Sequence, residues 1–343
     1  MAAPLLIAAA PLVVSTRVAE AQRPSALRVG ADNDAFNFWI PPWDRTDHEY
    51  TSGVRGSVEY DGPIAWSGWP RWPRWPRWPR MTRRAPSDTA RRETRTASRL
   101  THTFSLGQMI FTGNELTQNS LALVAPGYGP RASRPNAAWL YLEAAERDSS
   151  DLGMSELSLA IGIVGSPALG SQMQNLFHSL GQEYQRPSDW SRQLPFEPGF
   201  VARYARVVPL LSFGDGERRR SQLSANGGAA VGTIQTSLSV GAEATTDMAL
   251  GSIGQSAMTP RIAFTLGGGM DVVLRDEFLD GTLFRASDRV SKNALVGHAH
   301  AAITFRWRQI GVTYRANRVG PQYAGQARPT TWSSIETEWR LSR

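Results

Sequence analysis

Apolar and polar side chains alternate residue by residue along most of this chain, in segments of about ten residues. The clearest segment follows Pro260, where apolar residues at every second position alternate with Arg261, Thr265, Asp271 and Arg275. A period of two places successive side chains on opposite faces of a β-strand. One face lined with charge and one lined with large apolar groups is typical of a strand between water and lipid. The pattern therefore predicts a transmembrane β-barrel.

Twelve such segments can be counted, at 26–36, 48–60, 101–112, 137–147, 154–164, 199–213, 220–232, 235–246, 260–276, 294–308, 310–319 and 331–341. An even number of strands, with both chain ends in the periplasm, is typical of a bacterial single-chain barrel. We therefore predict an all-β fold, a 12-stranded antiparallel transmembrane β-barrel. The outer loops would then be 37–47, 113–136, 165–198, 277–293 and 320–330, with a sixth, tight outer turn at 232–235.

The chain ends and the composition agree with export. Residues 1–21 carry a short apolar run and an Ala-Glu-Ala site, which predicts a signal peptide ahead of a barrel over 22–343. The chain has no cysteine and a net charge of +7, and nearly all of its basic residues are arginine. Arginine pairs well with phosphate, so phospholipid or lipopolysaccharide headgroups are candidate partners. Export argues against nucleic acid.

Residues 61–100 interrupt the alternation. Four tandem Trp-Pro-Arg units, from Trp69 to Arg80, lead into a tract rich in Arg, Thr and Ser. Proline at every third position removes backbone donors and favours polyproline II, so we predict a periplasmic insertion without regular structure. It is either a repeat expansion without a role or a segment that contacts headgroups or peptidoglycan.

One short helix is predicted within the barrel, over residues 167–180. Ser166 is a residue type preferred at the N-cap, Pro167 suits the first helical position, and Gly181 suits the C-terminal stop. The helix would lie in an outer loop. Gln174 and His178, four residues apart, share a face opposite an apolar stripe formed by Leu169, Met173, Leu176 and Leu180.

Polar residues at the ends of the first two strands could join this helix. Strand alternation places Asp32 and Asp34 on the lumenal face of the first strand, and it places Thr51 on the lumenal face of the second. Carboxylates, a hydroxyl, an amide and an imidazole would then converge at the outer end. The alternatives are that Asn33-Asp34 is only a turn signal and that His178 only satisfies its hydrogen bonds.

The four other histidines are competing candidates for a catalytic base: His48, His102, His298 and His300. His298 and His300 are either a metal pair or lumenal fillers, and no carboxylate lies at ligand spacing beside them in the sequence. The chain contains no Gly-x-Ser-x-Gly elbow and no His-Glu-x-x-His zinc helix.

Taken in order, several short motifs resemble the outer-membrane lipid A 3'-O-deacylase family over nearly all of the mature chain. They are Asp32-Asn33-Asp34, Tyr50-Thr51-Ser52-Gly53, Phe104-Ser105-Leu106-Gly107-Gln108 with Phe111-Thr112, Arg134-Pro135 with Trp139-Leu140-Tyr141-Leu142, Val164-Gly165 with Gln174-Asn175 and His178, Trp190, Gln193-Leu194, Glu197-Pro198-Gly199, Asp280-Gly281 with Phe284-Arg285, and Gly325-Gln326.

The resemblance implies a twelve-stranded barrel in the bacterial outer membrane that hydrolyses the ester-linked acyl chain at the 3' position of lipid A. It implies the site residues Asn33, Asp34, Thr51, Gln174 and His178. By the resemblance, His178 is the general base, Ca²⁺ is the cofactor with Asp34 as a ligand, and lipopolysaccharide is the substrate. We further expect a monomer surrounded by outer-membrane lipids in a Gram-negative cell.

Some positions depart from the family pattern. The second strand begins Asp47-His48-Glu49 where the family has an Asp-Arg pair, and the chain ends on Arg343 rather than on an aromatic residue. Two rival functions stay open at this point. One is an outer-membrane phospholipase, and the other is a non-enzymatic porin-like or adhesin-like barrel.

Overall fold

A computed structural model describes residues 23–40, 49–62, 98–113, 133–181, 190–214, 218–250, 259–326 and 328–341. In these residues twelve antiparallel strands pair in chain order, and β1 pairs with β12 to close the barrel. The strands are β1 Ala26–Asn33, β2 Glu49–Asp61, β3 Arg99–Thr112, β4 Ala137–Ser150, β5 Gly153–Val164, β6 Glu197–Phe213, β7 Arg219–Gly232, β8 Gln235–Ala249, β9 Arg261–Asp276, β10 Leu295–Trp307, β11 Ile310–Val319 and β12 Thr330–Arg340. The predicted twelve-stranded barrel is confirmed, including the tight turn after Gly232.

Alternation along the strands separates the two surfaces of the barrel wall as predicted. On β9 the outward Leu266 is 66% exposed and Leu274 is 62% exposed. The inward row of β9 carries charge, and Arg261 forms an ion pair with Asp247 of β8 across the lumen wall. The apolar outer surface and the charged lumen are what a membrane-spanning barrel requires.

The two ends of the barrel differ. The segments 34–48, 113–136, 165–196, 233–234, 277–294 and 320–329 connect strands at one end, which we call the loop end. The other end carries the first and last described residues, Arg23 and Leu341, and is the end of the barrel where β2 leads to β3. That the loop end faces the cell exterior stays a prediction. The signal peptide at 1–21 and most of the insertion at 61–100 lie outside the described residues.

None of the helices in the described residues has the length and apolar character needed to cross a membrane. Two α-helices occur there: α1, Gly170–Gly181, and α2, Glu277–Asp280. The sequence predicted the first and missed the second.

The lumen is filled at the loop end by buried side chains, which we call the mouth cluster: Tyr50, Phe111, Arg134, Trp139, Leu194 and Phe278. The rings of Phe111 and Phe278 stack with centroids 4.3 Å apart. The guanidinium of Arg134 lies 4.5 Å from the Phe111 centroid, a cation–π distance. Farther into the barrel a polar cavity of about 310 Å³ is lined by groups that include Arg55, Glu143 and Arg203.

Candidate functional site

The loop that carries α1 differs from the predicted helix of 167–180. Ser166–Ala168 forms a 3-10 turn, Leu169 adopts a left-handed conformation with φ of 60°, and α1 begins only at Gly170. Ser166 was predicted as the N-cap, but the residue before the turn is Gly165, at φ of 94°, and no side chain caps it. The left-handed Leu169 interrupts the helical hydrogen bonds, so the predicted single helix is divided into a turn and a helix.

This loop packs against the outside of the barrel. Phe111 and Trp139 point into the lumen, so their neighbours Ile110 and Ala138 face outward, and both are buried against Ala168. The amide of Gln108, on the same outward row of β3, donates to the Ala168 carbonyl oxygen at 2.5 Å. The turn and α1 therefore cover the outer surface of β3 to β5 at the loop end.

The burial of side chains on α1 differs from the predicted pattern of one buried apolar face and one exposed polar face. Gln174 is 2% exposed, whereas Leu176, on the predicted apolar stripe, is 49% exposed. The helix therefore turns a polar group toward the wall and leucine toward the surroundings. His178 lies one turn after Gln174 in α1, but its side chain is outside the described part of the structure.

Thr51 was predicted to point into the lumen, and this is wrong. A β-bulge at Thr51 breaks the β2–β3 register, since Tyr50 pairs with Phe111 and Ser52 pairs with Ile110. The extra residue turns Tyr50 inward, where its hydroxyl donates to Asp32 at 2.7 Å. Thr51 instead lies 2.5 Å, oxygen to oxygen, from Thr112, which follows the inward Phe111 and so belongs to the outer row. Thr51 is nevertheless only 3% exposed.

Asn33 and Asp34 also leave the predicted pattern. β1 ends at Asn33, whose Oδ1 accepts a hydrogen bond from Ala35 N at 2.7 Å. Asp34 is the first residue of the 3-10 turn Asp34–Phe36 and is 7% exposed. The prediction that Asp34 continues the lumenal row is wrong, because the strand ends one residue earlier.

Residues 36–39, which we call the strap, cross the outer surface of β11 and β12. The hydroxyl of Tyr314, an outward residue of β11, donates to the Phe36 carbonyl at 2.7 Å. Trp39 Nε1 donates to Ser333 Oγ at 3.1 Å. The strap and α1 therefore flank the outer wall of β1 and β2.

Three of the predicted residues, Asn33, Thr51 and Gln174, consequently lie on the outer side of the barrel wall and not in its lumen. Asn33, Asp34 and Thr51 lie on or beside β1 and β2 at the loop end. Gln174 lies in α1, which covers the outer side of the wall, and its side chain is buried. We call these four residues, with His178 of α1, the outer-wall site. A buried hydroxyl and a buried amide can donate to an oxyanion, and a buried carboxylate can bind a cation.

The metal part of this prediction can be compared with the groups present. The described residues contain no cluster of three or more His, Cys, Asp or Glu arranged to hold a metal. Asp34 supplies one buried carboxylate, and its neighbour Asn33 carries an amide oxygen. An all-oxygen set fits Ca²⁺, which accepts carbonyl oxygens and water, and it does not fit Zn²⁺, which favours Cys and His.

Three of the four competing histidines belong to the described residues, and they lie away from the outer-wall site. His298 Nδ1 is 3.1 Å from Asp271 Oδ2, and His300 Nε2 is 3.0 Å from Glu243 Oε2, all within the lumen. The sequence indicated no carboxylate nearby, because Asp271 comes from the adjacent strand β9 and Glu243 from β8, one strand farther along the wall. His102 is near the opposite end of β3, at 3.9 Å from Glu146, and His48 lies outside the described residues.

Two loop groups near the mouth cluster have altered acidity. Burial, and then repulsion from Glu197, raises the pKa of Glu277 to about 8. Burial, and then the adjacent Glu49 carboxylate, raises the pKa of Tyr323, whose hydroxyl donates to Glu49 at 2.6 Å. Both groups are therefore neutral at pH 7.

Sequence reasoning did not assign Gln108, Thr112 or Trp190 to the site. Gln108 and Thr112 occupy the outward row of β3, where the barrel pattern calls for apolar residues, and both are buried. A polar residue on a lipid-facing row is costly unless something covers it. That mismatch was the signal that could have placed the site on the outer surface.

Comparison with known proteins agrees with this architecture. The family model described as "Outer membrane protein LpxR" matches residues 5–341. Among solved structures, LpxR from Salmonella typhimurium superposes with a TM-score of 0.67 at 15% identity, over 92% of this chain and 100% of that one.

A more distant match is the β domain of the Bordetella autotransporter BrkA, with a TM-score of 0.43 at 8% identity, over 93% of this chain and 99% of that one. No curated protein sequence matches the chain. The family match extends over nearly the whole chain, and the superposed structure shares its fold. This protein is an outer-membrane β-barrel that belongs to the LpxR family.

Proposed function

We propose that this protein is an outer-membrane esterase that hydrolyses the 3'-O-linked acyl chain of lipid A. The observation that carries the proposal is the position of the outer-wall site. Thr51 is a buried hydroxyl beside Thr112 on the outer row of the wall, and Gln174 is a buried amide of α1, the helix that exposes Leu176. A substrate anchored in the outer leaflet can approach such a site sideways, with its acyl chains still in lipid.

The chemistry follows from the residues of the site. His178 takes a proton from water, and the water oxygen attacks the ester carbonyl carbon. The Gln174 amide and the Thr51 hydroxyl donate to the oxyanion that develops. The bond between the acyl carbon and the 3' oxygen then breaks, and the proton held by His178 passes to that oxygen, so the products are a free fatty acid and a 3'-hydroxyl. Asp34 would hold Ca²⁺, which polarises the carbonyl when bound.

The mouth cluster argues against the porin-like rival. Aromatic rings and the buried Arg134 pack together in the lumen at the loop end, whereas a porin has a water-filled lumen. The phospholipase rival uses the same chemistry at the same place, and it differs only in the substrate. An assay with both lipids separates the two.

The test is mass spectrometry of lipid A from Gram-negative cells that express the protein. We expect loss of the mass of the 3'-O-linked chain, and purified protein should leave glycerophospholipid intact. His178→Ala should lower the rate by at least about 100-fold, while heat-modifiability on gels shows that the barrel still assembles. The wild-type rate should decrease as the pH is lowered below about 6.5, the ordinary imidazole pKa, because a protonated histidine cannot accept a proton from water.

His102→Ala is the matched control, because His102 lies near the opposite end of the barrel, and it should retain the wild-type rate. Cleavage of glycerophospholipid in place of lipid A would favour the phospholipase rival. Full activity of a folded His178→Ala protein would show that His178 is not the general base.

A further inference from the structure

Trp190 contacts one of the proposed site residues directly. Its indole Nε1 donates to Gln174 Oε1 at 2.8 Å, and Gln174 is almost fully buried. An indole nitrogen is only a donor, so the side of the amide that faces Trp190 must be its carbonyl oxygen. The NH2 group of Gln174 is then directed away from Trp190. The donor character of the indole therefore decides which way this amide points.

Trp190 is itself held in place from several sides. Its ring packs on the Ile110, Ala138 and Ala168 cluster at the outer wall. A Cβ atom added to Gly170, at the start of α1, would overlap the ring, so the glycine is needed for this close approach. The chain just after Trp190 pairs with the residue before β4, where Leu194 N donates to Asn136 O at 2.8 Å.

A glutamine amide without such a partner has two orientations of similar size and shape. In one it presents two N–H donors, and in the other it presents a carbonyl oxygen. Only the first can stabilise an oxyanion, since the oxygen would repel the developing negative charge. The orientation of the amide therefore decides whether Gln174 assists or opposes the reaction.

We propose that Trp190 is a positioning residue for ester hydrolysis, which fixes the Gln174 amide with its NH2 group toward the reacting ester. The inference rests on the proposed function and adds a residue to it. Trp190 acts through Gln174 and does not need to touch the substrate. The bond to Trp190 should therefore affect kcat and leave KM unchanged.

The test is a double-mutant cycle with purified protein and lipid A. Trp190→Phe keeps a large ring and removes the N–H donor. We expect kcat to fall by about two- to twelvefold, the range that one net hydrogen bond corresponds to, with KM unchanged. In the Gln174→Ala background the same substitution should have no further effect on kcat, because the amide that it orients is gone.

Two further variants complete the design. Gln174→Glu keeps an acceptor for the indole but replaces NH2 with oxygen, so kcat should fall by about 10²-fold or more. Trp339→Phe, on the lipid-facing wall at the other end, is the control for a general Trp to Phe effect and should be neutral. Heat-modifiability is checked for every variant.

The outcomes separate the two levels of the proposal. An active wild type in which Trp190→Phe lowers kcat equally with and without Gln174 would show that Trp190 acts only through structure, and would overturn the inference. An active Gln174→Glu protein would overturn it as well, and would serve as the test if Trp190→Phe did not assemble. A wild type that leaves lipid A intact would overturn the proposed function and this inference with it.

Discussion

Glu277 is a fully buried carboxyl group in α2, and neither of its oxygens accepts a hydrogen bond from the described residues. Its pKa is raised to about 8, first by burial and then by Glu197. The folded protein therefore keeps the proton that the unfolded chain releases near its ordinary pKa. This group contributes stability below about pH 4.5, and that contribution is lost as the pH rises to about 8.

Glu277→Gln should remove this pH dependence, since glutamine has the shape of the protonated acid. Between pH 5 and 8 we expect the free energy of unfolding of the variant to rise relative to that of the wild type. The difference should reach roughly 4 kcal/mol, at about 1.36 kcal/mol per pKa unit. The measurement is the temperature at which the folded gel band is lost, at several pH values. Asp288→Asn is the control, because that carboxylate is 58% exposed in the same loop. Equal pH curves for Glu277→Gln and wild type would contradict the assignment.

Asp34 is the residue that would report on the cation. Chelation of divalent ions should abolish deacylation reversibly, and added Ca²⁺ should restore it. Asp34→Ala should raise the Ca²⁺ concentration required for activity or eliminate turnover, because one of few available carboxylates is removed. Calorimetric titration of purified protein with Ca²⁺ supplies a reading independent of activity. Full activity in excess chelator would remove the ion from the mechanism.

At the scale of elements, the sequence predicted the strands well and failed where strands end. Alternation recurs in twelve segments, so each segment strengthens the assignment of the others as strands. A closed barrel is then the expected arrangement. The errors at Thr51, Asp34 and Leu169 are single departures from a regular backbone: a bulge, an early strand end and one left-handed residue. Each changes the face on which a side chain lies, and no periodicity marks it. Thr51 and Asp34 therefore lie at the predicted end of the barrel but not on the predicted lumenal face.

The outer position of α1 depends on close contact at Gly170. Alanine is the better helix former, so propensity alone favours Gly170→Ala. The added methyl would overlap the Trp190 ring and Ala138. We expect the variant to shift α1 and to lower the deacylation rate by about ten- to a hundredfold, since small misplacements cost that much.

The closed strand ladder below α1 does not involve Gly170, so the gel shift should be unchanged. Gly56→Ala is the matched control, because no atom lies within 4 Å of a Cβ at that position. A Gly170→Ala protein with wild-type activity would show that the docking of α1 tolerates displacement.

At the scale of the whole molecule, the barrel separates two tasks. The lumen is held together by charge pairs between strands, such as Arg28 with Glu59 and Glu338. The outer surface at the loop end carries the proposed chemistry. The mouth cluster packs in the lumen at that end, and the outer-wall site lies on the lipid-facing side, so we expect the substrate to approach laterally from lipid.

The insertion between β2 and β3 gives a test of how independent the barrel is. The base of this hairpin is closed without it: Asp61 pairs with Thr101, and Gly62 N donates to Leu100 O at 2.8 Å. Arg99 also forms an ion pair with Asp61 at 2.9 Å. The strand ends are therefore already adjacent where the insertion leaves and returns.

Deletion of residues 66–97 would leave positions 63, 64, 65 and 98 between Gly62 and Arg99. A connection of about four residues is an ordinary length for a β-hairpin. We expect the shortened protein to remain heat-modifiable and to deacylate lipid A within about twofold of wild type, since short surface-loop changes cost little stability. Gel mobility and mass spectrometry measure the two expectations separately. Loss of the folded band would show that the insertion contributes to barrel assembly, and loss of activity in a folded barrel would assign it a role in the reaction.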